Sequence, residues 1–265
     1  MKPEISKILH YFCPVPPLRI LFLGSKPIGY FCLLHMLEQS EKLGYQMVGV
    51  LHNENPLRHT SLSVGELARQ YSIPVFDHPE DMPECDLLIS VQYHRILKPK
   101  EIAKASKLAV NLHMAPLPEY RGCNQFSLAI LENRSTFGTT IHKMSPRIDE
   151  GDILFEKRFP IPDQCWVDEL HQLTEEASLL LFRESWPLLL SEQYTAVPQS
   201  QWIEERGCSL HFRNEIHTWK QIDLNWEAER IERHIRATSM PGFEPPYTML
   251  GCHKIYFQRE WPEKE

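Results

Sequence analysis

The chain contains no long apolar run, no paired cysteines and no excess of basic charge, and each absence removes a class of function. No hydrophobic stretch is long enough to cross a bilayer as a helix. The start of the chain lacks a basic segment followed by an apolar core, so no signal peptide is expected and the protein is placed in the cytoplasm. The 7 cysteines are dispersed, without a Cys-x-x-Cys pair, which argues for reduced thiols rather than a disulfide framework. The 13 histidines are scattered too, and no metal-ligand spacing stands out, so no metal is expected. A formal net charge of -7 argues against a dominant nucleic-acid surface, which needs clustered Lys and Arg. Repeats and low-complexity tracts are also missing.

What remains is an ordinary globular composition. The 265 residues are 42% hydrophobic and 24% charged, enough for one large domain with or without a small appendage. Residues 1–17 form a proline-punctuated, extended lead-in to which no function is assigned. Residues 18–23 are a buried strand, followed by a glycine turn, a helix through Leu37 and a second strand at residues 47–51. This is the opening βαβ of a doubly wound sheet. Its turn, Gly24-Ser25-Lys26-Pro27-Ile28-Gly29, lacks the middle glycine of a dinucleotide fingerprint and the Lys-Ser/Thr of a phosphate loop. A polar loop at residues 52–61, a helix at 64–71, a short strand at 73–76 and a central strand at 86–91 follow. The loop after that strand, residues 92–99, leaves the carboxyl end of the sheet, where α/β proteins bind ligands.

Residues 110–160 carry the densest chemistry. An apolar strand ends at Asn111, and side-chain alternation puts Asn111 and His113 on one face. Pro116 and Pro118 then make a stiff loop, and Asn124 suits the N-cap of a helix through Leu131. Residues 139–144 alternate like a strand, Asp149-Glu150-Gly151 is a turn, and residues 153–155 begin another strand. An imidazole of near-neutral pKa can take a proton from an attacking amine, and a neighbouring carboxylate fixes its tautomer and supports the imidazolium. An amide N–H can donate to the oxyanion of a tetrahedral intermediate. On spacing alone, the bland alternatives stay open: a hydrogen-bonded histidine at a strand end and a turn-forming aspartate.

Asn-Leu-His, then Pro-Leu-Pro-Glu-Tyr-Arg-Gly, then Gly-Thr-Thr-Ile-His and Ile-Asp-Glu-Gly-Asp-Ile stand in that order. The combination resembles the formyltransferases that use formyl-tetrahydrofolate, over roughly residues 18–198. The resemblance implies an α/β, Rossmann-like fold with a mostly parallel sheet flanked by helices. It implies a catalytic domain over residues 18–200 and a small C-terminal α+β subdomain over 201–265. It places Asn111, His113 and Asp149 on catalytic positions: oxyanion donor, general base and orienting carboxylate. By the same resemblance Tyr93, Arg95, Ile96 and Leu97 hold the pterin of 10-formyltetrahydrofolate, largely through backbone groups. Pro116, Tyr120 and Arg121 line the acceptor side; Arg121 suits an anionic part of the acceptor or, equally, an anchor to backbone carbonyls.

His142 is expected in the core or behind the catalytic residues, and Cys123 has nothing beside it to make it a nucleophile. A long helix from residue 166 presents Val167, Leu170, Leu173, Ala177 and Leu180 to the sheet. Beyond Pro198, residues 201–203 and 210–212 read as short strands, 226–236 as a helix and 251–258 as a hairpin arm. The expected acceptor is a primary amine on a nucleotide-linked amino sugar, so the partners are small molecules. Trp226, Phe243 and Tyr247 suit base stacking, a homodimer contact or the tail's own core. The alternatives within the same fold are a methionyl-tRNA formyltransferase, for which the tail reads as short, a formyl-tetrahydrofolate hydrolase, and an inactive binding module.

Overall fold

A computed structural model describes residues 16–52 and 62–259. Most of the expected lead-in and all but the first residue of the expected loop at residues 52–61 lie outside these.

Strand β1 (Leu18–Gly24) runs into helix α1 (Lys26–Leu43), which continues past the expected end at Leu37 until Gly44, at φ 71°, stops it. Strand β2 (Tyr45–His52), helix α2 (Val64–Gln70), strand β3 (Val75–Phe76) and strand β4 (Cys85–Val91) follow. The Ser63 side chain caps α2 by accepting from the Glu66 N–H. Next come helix α3 (Pro99–Ile102), strand β5 (Ala105–His113), the two-residue strand β6 (Arg121–Gly122) and helix α4 (Gln125–Leu131). Strands β7 (Thr136–Lys143) and β8 (Ile153–Pro160) lead to helix α5 (Val167–Leu190).

These strands build a seven-stranded sheet in the order β3-β2-β1-β4-β5-β7-β8. β3 to β5 are parallel; β7 is antiparallel to both its neighbours. The sheet is therefore mostly parallel and flanked by helices, as expected. Alternation sorts the parallel strands between two cores. Ile20 and Phe22 face α1 and α5, among Met36, Phe182 and Trp186. Leu21 and Leu23 face the other way, among Met82, Leu88 and Leu97. Trp186 stacks on Phe182 at 5.7 Å, and its indole N–H donates to the Tyr45 hydroxyl at 3.1 Å.

Helix α5 buries Val167 and Leu170 of the expected face and departs from it further along. Leu180 is 45% exposed and Leu173 and Ala177 are half-buried, while Thr174, Ser178 and Ser185 are buried. The hydroxyls satisfy themselves inside the contact: Thr174 donates to the Leu170 carbonyl at 2.6 Å and Ser178 to Thr139 Oγ1 at 2.7 Å. Small polar side chains let the helix approach the sheet closely, so the hydrophobic stripe alone did not mark the face.

The remaining chain contains helix α6 (Ile203–Arg206), strand β9 (Leu210–His211), helix α7 (Ile216–Trp219), helix α8 (Ala228–Thr238) and a hairpin of β10 (Tyr247–Leu250) and β11 (His253–Tyr256). Residues 201–203, expected as a strand, lie instead at the junction of a 3-10 turn and α6. β9 pairs in parallel with β6. Ala237 of α8 belongs to the same buried cluster as Ala115, Tyr120, Phe137 and Leu170. The tail is thus packed onto the loop between β5 and α4. Among the described residues, no helix is long and apolar enough to cross a membrane.

Candidate active site

β5 continues two residues beyond its expected end and carries both Asn111 and His113 to the carboxyl edge of the sheet. Its antiparallel pairing with β7 sets Asn111 opposite His142 and His113 opposite Thr140. Thr139 and Thr140 point to opposite faces and pin this edge from both sides. Thr139 donates to the His113 carbonyl at 3.0 Å; Thr140 donates to the Ala115 carbonyl at 2.8 Å and accepts from the Leu117 N–H at 3.2 Å. The Leu117–Pro118 bond in the following loop is cis.

Asp149 comes from the turn between β7 and β8, where it adopts φ 49°, a left-handed conformation that aspartate tolerates better than most residues. Two residues on, a Cβ on Gly151 would meet the Lys143 carbonyl oxygen at 1.8 Å, so only glycine lets the turn close here. The carboxylate lands between two rings and a backbone donor. Oδ2 accepts from the Gly122 N–H at 2.9 Å and lies 3.6 Å from His113 Nδ1; Oδ1 lies 3.5 Å from His142 Nε2. Both ring distances are longer than a normal hydrogen bond, and either becomes an ion pair only when its ring is protonated. Burial opposes the ionised form of Asp149, but the His113 ring, the His142 ring and the Gly122 N–H outweigh it and hold the carboxyl well below the usual carboxylate range.

His113 is 5% exposed, with Nε2 2.6 Å from the Tyr120 carbonyl oxygen. A carbonyl only accepts, so Nε2 carries the proton and Nδ1 faces Asp149. The Tyr120 backbone, rather than the carboxylate expected from sequence, therefore sets the tautomer, and a proton gained at Nδ1 sits beside an anion. His142 Nδ1 donates to the Lys143 carbonyl at 2.8 Å, which turns Nε2 toward both Asp149 and the Asn111 amide, 3.3 Å away. His142 is thus buried between two of the three expected catalytic residues.

The acceptor-side residues divide. Tyr120 is buried, its ring against Phe137 and its hydroxyl donating to Glu132 at 2.8 Å, so it serves the site through its carbonyl. Pro116 is buried in the loop. Arg121 is held by side chains, not by backbone carbonyls: Nε and Nη2 donate to Gln199 Oε1 at 3.0 and 2.8 Å, and Nη1 lies 3.1 Å from Glu150. The donor loop divides as well: Ile96 is 70% exposed, whereas Leu97 is 3% exposed and packs into the core. Tyr93 is half-buried against His94, Arg95 is exposed, and burial raises the Tyr93 hydroxyl's pKa. Asn124 takes the N-cap position of α4 but in a left-handed conformation, φ 62°, without a side-chain cap; its amide donates instead to the Phe212 carbonyl at 2.8 Å. No cluster of three or more metal-ligating side chains occurs among the described residues.

Three contributors were invisible to sequence reasoning: the Tyr120 carbonyl, the Gly122 N–H and Gln199. The first two are backbone groups, which every residue has. Gln199 lies far from the motif and carries no signal of its own.

Residues 69–183 match the family model described as formyl transferase. The chain is 28% identical, over 262 residues, to methionyl-tRNA formyltransferase of Geobacillus thermodenitrificans, covering 92% of this chain and 77% of that one. It is 26% identical, over 243 residues, to the bifunctional polymyxin resistance protein ArnA of Wigglesworthia glossinidia brevipalpis; the match covers 84% of this chain but spans only 35% of the relative's length. Among solved structures, the N-formyltransferase of Helicobacter canadensis, in complex with folinic acid and dTDP-3-aminofucose, superposes with a TM-score of 0.75 at 23% identity, over 90% of this chain and 86% of that one. Residues 69–183 are thus similar to the formyl transferase family, the chain is similar to formyltransferases along most of its length, and its fold is shared with one solved with a sugar nucleotide bound.

Proposed function

We propose that this protein transfers a formyl group from 10-formyltetrahydrofolate to the primary amine of a nucleotide-linked amino sugar. The observation that carries the reading is the Asp149 carboxylate, set between the His113 and His142 rings with the Asn111 amide alongside. In the reaction, the amine lone pair attacks the formyl carbon. The carbonyl electrons move to oxygen, where an Asn111 N–H receives the oxyanion. The amine proton passes to His113 Nδ1, where Asp149 balances the charge. Collapse restores the carbonyl and expels folate N10, which takes up that proton. The donor would lie against the loop at residues 93–97, with Ile96 offering an exposed apolar contact to the pterin.

The sugar nucleotide in the Helicobacter canadensis complex and the net charge of -7 favour a small acceptor over tRNA. The identity to a methionyl-tRNA formyltransferase over 92% of the chain keeps the tRNA reaction as the second reading. Both are tested together: purified protein and 10-formyltetrahydrofolate are incubated with a panel of nucleotide-linked amino sugars, with methionyl-tRNA and with no acceptor, following folate absorbance and formate. Turnover with a sugar and none with tRNA is expected. Transfer only to tRNA, or formate release without an acceptor, overturns the proposal. His113→Ala should lower kcat by about 100-fold or more with the fold intact, on the usual scale for losing a general base; wild-type turnover in that variant refutes the base assignment.

A further inference from the structure

Gln199 lies in the 3-10 turn after Pro198, outside the span of the formyl transferase match, and it is 3% exposed. Its amide is fully used. Nε2 donates to the Asp149 carbonyl at 2.7 Å and to the Gly151 carbonyl at 2.8 Å, while Oε1 accepts both Arg121 donors. One side chain therefore ties the turn that bears the carboxylate to the strand whose Gly122 N–H binds that carboxylate. Arg121 closes the ring through Glu150, itself 2.7 Å from Arg147. The arrangement needs two donors and an acceptor on one short planar group, which glutamine supplies and glutamate or leucine does not. It also fixes the carbonyl of Asp149 while that residue holds a left-handed conformation.

We infer that Gln199 is a positioning residue that locks the Asp149 turn against β6 and so sets the distance from the carboxylate to the His113 ring. The inference rests on the proposed function for its kinetic consequence, but not for its geometry. A carboxylate displaced by about 1 Å costs on the order of 100-fold in rate while leaving distant binding contacts intact.

The test compares Gln199→Leu, Gln199→Glu and wild type. Gln199→Glu keeps an acceptor for Arg121 but sets a carboxylate against two carbonyl oxygens. In both variants kcat should fall by about 10- to 100-fold, with the KM for the folate donor within about twofold of wild type. The ring resonances of His113 and His142, assigned through single His→Gln variants, should shift in both. The resonances are read whether or not any acceptor is turned over. An inactive wild type with shifted rings therefore sinks the proposed function and keeps this inference. Unmoved rings overturn the inference, and so does full kcat in Gln199→Glu. Should Gln199→Leu fail to fold, Gln199→Glu decides the matter by the same two readouts.

Discussion

At Asp149 burial and charge pull in opposite directions, and the balance makes a prediction. Burial disfavours the carboxylate; His113, His142 and the Gly122 N–H favour it more, so the folded-state pKa is depressed. A depressed acid stabilises the fold when ionised. That contribution is complete above the unfolded value of about 4 and drains away as pH falls toward the lower folded value. Asp149→Asn removes the titration. The stability advantage of wild type over Asp149→Asn should therefore shrink between about pH 5 and about pH 2, in urea unfolding at matched ionic strength. A gap that stays constant across that range would mean the carboxylate gains nothing from its neighbours. At this scale the sequence was partly legible. Asn111 and His113 share a face because strands alternate, and Asp149 sits in a turn its own residues announce. What decides the tautomer of His113 and the placement of Asp149 is backbone and one distant amide, which no residue code discloses.

At the scale of elements, apolar runs marked β1, β2 and β4 within a residue or two, because both faces of these strands are covered. Legibility failed where polar groups are buried. The face of α5 that meets the sheet carries Thr174 and Ser178, and a hydrophobic pattern ranks such positions as exposed. Residues 201–203 read as a strand because Trp and Ile favour sheets, yet the segment turns helical where Gln199 is pinned to the site. The contact between α5 and β7 can be tested at Thr139, whose hydroxyl accepts from Ser178 at 2.7 Å and donates to the His113 carbonyl at 3.0 Å. Thr139→Val keeps the shape and removes both bonds, leaving a buried hydroxyl without its partner. A loss of about 1–3 kcal/mol is expected, as for any unsatisfied buried polar group. An unchanged urea midpoint would show that the Ser178 hydroxyl and the His113 carbonyl find other partners.

At the scale of the molecule, the order of strands and the return of the tail were beyond the sequence, since both depend on contacts between residues far apart in the chain. The tail supplies β9 to β6: Arg121 N–H donates to the Ser209 carbonyl at 3.1 Å and Cys123 N–H to the His211 carbonyl at 2.9 Å. Between those two donors lies Gly122, whose φ of 85° and missing Cβ let the strands approach; a Cβ there would meet the His211 carbonyl oxygen at 2.2 Å. Docking of the tail and the geometry of the carboxylate should therefore be coupled. Ala237, fully buried in α8 within the cluster of Tyr120 and Phe137, is the place to break the docking from outside the carboxylate's own contacts. Ala237→Glu forces a charge into an apolar contact, which the chain avoids by letting α8 separate. The amide protons of Arg121 and Cys123 should then exchange at least tenfold faster, roughly the effect of losing 1.4 kcal/mol of local protection, while those of β1 and β4 stay slow. Faster exchange everywhere would show that tail and sheet unfold as one unit. Unchanged exchange at Arg121 and Cys123 would show that the loop holds its own shape, and that the tail packs beside the site without supporting it.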